Sequence, residues 1–210
     1  MKLELTGEEV RVLGVLIEKD MATPEYYPLS LNALVTACNQ KNNRDPIVNY
    51  DDETVTEALA GLRAKQLIVS HTGGRVTKYG HRASETLDLN NRELAAMCVL
   101  LLRGAQTVNE IKVRTQSLYR FDDLDSVETV LRRLEQQGLA VLLEKQSGMR
   151  ELRWTHLATG APLPLAVSDT ERHAHETAAA QAPLAERVTR LEAELAALRA
   201  ELAEFRKQFQ

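Results

Sequence analysis

Arg132, Arg133 and Gln136 fall within one helical stretch, beside the apolar stripe of Val127, Leu131 and Leu134. Arginine offers a planar fork that pairs bidentately with a guanine edge or a phosphate, and glutamine can read adenine. Further cations lie in two β-prone runs. Arg75, Lys78 and Arg82 follow the Gly73-Gly74 turn signal, and Lys145, Arg150 and Arg153 surround Ser147-Gly148. A third group, Lys41, Asn42, Asn43 and Arg44, belongs to the polar stretch ACNQKNNRDP at residues 37–46. These residue types hold an anion or a partner and make no bonds. The chemistry they suggest is recognition.

Bulk charge does not reinforce that idea. The 210-residue chain has a formal net charge of −4, so nucleic-acid binding would need local patches. Residues 1–85 carry 10 cations and 12 anions, and residues 86–160 carry 10 of each. Asp51, Asp52 and Glu53 precede one candidate recognition helix, and Asp122, Asp123 and Asp125 precede the other. Such carboxylates suit a helix dipole and repel phosphate. The KNNR group has a plain structural alternative as well, because Asn and Asp make turns and Asp45-Pro46 stops a helix.

Catalytic patterns are missing from the sequence. It has no glycine-rich phosphate loop, nucleophile elbow or metal-ligand spacing, so neither an enzyme nor a cofactor is expected. Cys38 and Cys98 each fall on an apolar helical stripe and read as core residues. His173 and His175, with Glu171 and Glu176, lie in a segment of linker composition that offers a metal no fixed geometry. Trp154 reads as a hairpin packing residue. No apolar run is long enough for a membrane span, and no signal peptide precedes the first helix, so a cytoplasmic protein is expected.

The elements that carry these residues occur twice. Val55, Leu59, Leu62, Leu67 and Val69 recur at one constant offset as Val127, Leu131, Leu134, Leu139 and Val141. Thr6 and Glu9 correspond to Asn90 and Glu93, each pair spaced as a capping box. Ser30 and Leu34 correspond to Thr107 and Ile111, and Thr107 with Glu110 spells another box. The falling offset places extra residues in the first copy, around TPEYYPL and NQKNNRDPIVNY. Three helices and a hairpin form the order of a winged helix-turn-helix.

The tail differs. Residues 160–183 read as a flexible linker. Leu184, Val188, Leu191, Leu195, Leu198, Leu202 and Phe205 then alternate four and three apart, a heptad seam. In a parallel pair Arg187 would face Glu192, Glu194 would face Arg199, and Glu201 would face Arg206. A coiled-coil homodimer is expected from residues 184–210.

The stretch YYPLSLNALVTACNQKNNRDP resembles the YceH-like family of uncharacterised bacterial proteins, with similarity running from about Leu5 to Leu157. That resemblance implies a pair of winged-helix domains and no established activity. The expected fold is mainly α with small β-hairpins (α+β). It comprises two tandem winged helix-turn-helix domains at 1–86 and 87–159, a linker at 160–183 and a coil at 184–210. Non-catalytic, regulatory binding of duplex DNA is the first functional expectation. An adaptor that grips another protein is the alternative. RNA binding is a third, weakened by the lack of an aromatic stacking face.

Overall fold

A computed structural model describes residues 3–144 and 151–160. In chain order the first half runs α1 (Gly7–Ala22), a 3-10 turn (Pro24–Tyr26), β1 (Leu29–Ser30), α2 (Leu31–Cys38), α3 (Asp52–Ala64), β2 (Ile68–His71) and β3 (Lys78–His81). A single turn, α4 (Ala83–Thr86), leads to α5 (Asn91–Arg103), α6 (Val108–Arg114), α7 (Leu124–Gln136), β4 (Ala140–Leu142) and β5 (Trp154–His156). The described residues thus form a mixed α/β protein with seven α-helices and small antiparallel sheets.

The helices start where side chains replace the missing backbone acceptors. Thr6 Oγ1 accepts from Glu9 N at 3.2 Å, and the Glu9 carboxylate accepts from Thr6 N at 2.8 Å. The same box opens α5 at Asn90 and Glu93, and α6 at Thr107 and Glu110. Ser30, Asp51 and Asp123 cap α2, α3 and α7. Each such cap contributes about 1 kcal/mol to holding its helix in register. All three boxes follow the spacing in the sequence.

Both hairpins form, and each gains a partner that periodicity does not reveal. Ile68 pairs with His81 in β2–β3, and Ala140 pairs with His156 in β4–β5. Leu29 and Ser30 add a third strand against Tyr79 and Lys78, giving the order β1-β3-β2. In the second half a bridge between Gln106 and Trp154 occupies the equivalent place, just before α6. Two residues, or one, are too few to show an alternating pattern.

The halves share a core. Val10 to Ile17 of α1 and Glu93 to Leu102 of α5 are buried without interruption. Their helices approach closely at Gly14, where a Cβ would stand 2.8 Å from Leu102 Cδ2. Cys98 Sγ donates to the Gly14 carbonyl at 3.4 Å across this contact. Residues on both sides of position 86 therefore belong to one compact unit, Met1–Pro162.

A histidine closes each hairpin in the same way. His81 Nδ1 accepts from Ala83 N at 3.2 Å, and His156 Nδ1 accepts from Ala158 N at 3.3 Å. Between them, Arg82 N donates to Leu67 O and Leu157 N donates to Leu139 O. No described helix is long and apolar enough to cross a membrane.

Candidate interaction surface

The polar insertion in the first half is largely a clamp. Arg44 is buried, and its guanidinium meets Glu18 of α1 through Nη1 at 2.9 Å and Nη2 at 2.6 Å. It also donates to the carbonyls of Ala37 and Asn43. Burial alone would raise the Glu18 pKa, but Arg44, helped by Lys19, outweighs it and lowers it. The expectation that Arg44 contacts a ligand is corrected, because a guanidinium sealed against its carboxylate has no donor left for solvent. Asn43, in the left-handed region at φ 63°, accepts from Arg103 at the end of α5. Asp45 N donates to Leu102 O at 2.9 Å. The insertion thus fastens the first half to the second, leaving Lys41 and Asn42 exposed.

The second insertion divides its two tyrosines. Tyr27 is partly buried and its hydroxyl accepts from His81 N. Tyr26 next to it is 71% exposed.

The arginines of α7 are also occupied. Arg133 Nε lies 3.0 Å from Glu93 Oε1, whose side chain is almost fully buried. In the first half Lys65 Nζ reaches the corresponding capping carboxylate, Glu9, at 2.6 Å. The capping box therefore has a second use, since its glutamate ties the third helix of each half to the first. Gly61 on α3 makes room for this, as a Cβ there would overlap Glu9 Oε1. Arg132 lies over the Trp154 ring at 5.0 Å, between Glu135 at 3.0 Å and Glu128 at 3.5 Å. Both arginines are thus ion-paired, with side chains 47% and 52% exposed. Gln136 is exposed.

The hairpin cations differ between the halves. Arg153 donates to the Ala105 carbonyl at 2.9 Å and meets Glu110 at 3.1 Å, so it is engaged internally. Arg82 precedes the short α4 segment and pairs with Glu85 at 2.9 Å. Arg75 and Lys78 are exposed, with no carboxylate partner among the described residues. Lys145, Arg150 and the Ser147-Gly148 turn lie outside the described residues. So do residues 161–183 of the linker and the seam of Leu184, Val188, Leu191, Leu195, Leu198, Leu202 and Phe205.

A groove of about 500 Å³ runs between α7 and the second hairpin. Val108, Leu124, Leu142, Leu152 and Trp154 supply its apolar lining, with Glu128 and Glu151 as carboxylates. Leu124 and Leu152 are each 45% exposed. Leu124 belongs to the same helical stripe as Val127, Leu131 and Leu134, but the first turn of α7 extends past the core.

The remaining reactive groups are enclosed. Burial pushes the Cys38 thiol up to about 12 and raises that of Cys98, so neither behaves as a thiolate. Trp154 is buried at the base of its hairpin. Among the described residues no cluster of three or more His, Cys, Asp or Glu is placed to hold a metal ion.

Residues 5–149 match the family described as "Protein of unknown function, DUF480". A UPF0502 protein of Solibacter usitatus is 45% identical over 211 residues, covering 100% of both chains. One from Pelobacter propionicus is 46% identical over 219 residues, again covering 100% of each. A UPF0502 protein of Citrifermentans bemidjiense is 50% identical over 165 residues, 77% of either chain. The chain belongs to the DUF480 family of bacterial UPF0502 proteins, in keeping with the YceH-like resemblance.

Proposed function

We propose that each half is a winged helix-turn-helix and that the pair forms a non-catalytic module gripping a protein partner. One observation carries this: the arginines best placed to read a duplex are each paired with carboxylates of the protein itself. Arg132 is held by Trp154, Glu128 and Glu135, and Arg133 by Glu93. The exposed start of α7 presents Leu124, Asp125 and Glu128, and that of α3 presents Asp52, Glu53 and Glu57. Phosphate is repelled by such a surface, whereas a protein partner can cover it. The module works in the cytoplasm as a homodimer joined through residues 184–210, and it needs no cofactor.

Duplex DNA is a second reading, favoured by the exposed Arg75 and Lys78 of the first hairpin and by Lys41. Affinity capture from extract, with and without nuclease, separates the two. A partner retained after nuclease and lost with Leu124→Asp supports the protein-binding module. Capture that vanishes with nuclease supports the duplex.

A further inference from the structure

We infer that the groove between α7 and the β4–β5 hairpin holds a short peptide segment with aliphatic side chains flanked by lysine or arginine. This deepens the protein-binding function above and rests on it. Leu124 and Leu152, each 45% exposed, leave the groove walls apolar where a polar surface would cost nothing. Trp154 forms its base. Arg132 lines the groove beside Glu128 and Glu151, so carboxylates outnumber cations among its lining residues. Arg132 is engaged on Trp154 and between two glutamates, so it offers little to an anion. Glu151 has no cationic partner among the described residues, and Glu128 contacts Arg132 at only 3.5 Å. Asp123 and Asp125 add carboxylates at the start of α7.

A groove of about 500 Å³ matches the size in which a few side chains are buried. Aliphatic anchors would replace water against Leu124, Leu142 and Leu152. A flanking ammonium or guanidinium would meet Glu151 and Glu128. A segment carrying carboxylates or phosphates would face like charge and be refused.

Trp154 is the only tryptophan of the chain and therefore a built-in reporter of occupancy. The test titrates the full-length protein with a short peptide of alternating leucine and lysine, and with its leucine–glutamate counterpart, following tryptophan emission. The expected result is a saturable change with the lysine peptide, and roughly tenfold weaker binding of the glutamate peptide. Leu152→Asp should abolish the change while keeping the parent thermal midpoint. If that variant does not fold, Leu124→Asp serves in its place. Equal titration by both peptides, or no saturable change, overturns the inference. A labelled duplex is run in parallel. Steep salt-dependent duplex binding would remove the protein-binding function itself, whereas silence of both probes removes only the groove.

Discussion

Arg44 Nη2 lies 2.6 Å from Glu18 Oε2, with the arginine side chain sealed from solvent. The pair joins the polar insertion to α1, and next to it Asn43 and Asp45 bind α5. Removing one partner strands a buried charge. Glu18→Gln should therefore destabilise by about 3–5 kcal/mol in urea unfolding. Lys41→Ala, at an exposed neighbour, should stay within about 0.5 kcal/mol. Equal effects would show that the insertion is not a clamp.

The second ion pair separates a structural arginine from a recognition arginine. Arg133→Ala leaves Glu93 buried beside an empty site, and a loss of about 1–3 kcal/mol in unfolding free energy is expected. Lys65→Ala should act in the same direction, because Lys65 meets Glu9, the capping glutamate that corresponds to Glu93. An unchanged midpoint for Arg133→Ala would return that residue to the surface.

These arginines show how far the amino-acid sequence could be read. Repeated stripes and capping boxes predict the helices, because helix starts and apolar periods are local. Both antiparallel strand pairs fall on the β-prone runs, the first of them around Gly73-Gly74. What the sequence did not reveal was the internal partners of several of these cations. Arg44, Arg132, Arg133 and Arg153 find their carboxylates or rings across the fold, at Glu18, Trp154, Glu93 and Glu110, far away in the chain. No spacing rule reports such a contact. The same holds for β1 and the Gln106 bridge, whose partners sit at the far end of each half.

Close approach at Gly14 makes the shared core testable. A methyl group there meets Leu102 at 2.8 Å, within α1 and α5 that are buried on both sides. Gly14→Ala should cost about 1–3 kcal/mol despite the better helix propensity of alanine. A stabilised variant would mean that the two halves do not press against each other.

The paired histidines predict a stability edge in mild acid. Burial lowers His156 to about 4 and lowers His81, while Asp20 partly offsets the effect at His81. In the unfolded chain both titrate near the ordinary value of about 6.5. Between these values the unfolded state binds more protons, so stability is full above about 6.5 and falls as pH drops toward 4. His156→Gln should flatten the slope of urea midpoint against pH in that window, by about 3 kcal/mol over its length. An unaltered slope would assign the edge to carboxylates.

The tail can be tested by itself. Truncation after residue 183 should convert the proposed dimer to a monomer in light scattering. A dimer that persists would place the contact within residues 1–183.

Binding of random labelled duplex to the full-length protein, followed by fluorescence anisotropy at ~50 and ~200 mM salt, tests the central claim most directly. With its α7 arginines spent on Glu93, Glu128, Glu135 and Trp154, the protein should show no saturable binding even at the lower salt. Tight binding that collapses at the higher salt, with a slope of roughly −0.9 per neutralised phosphate, would contradict it.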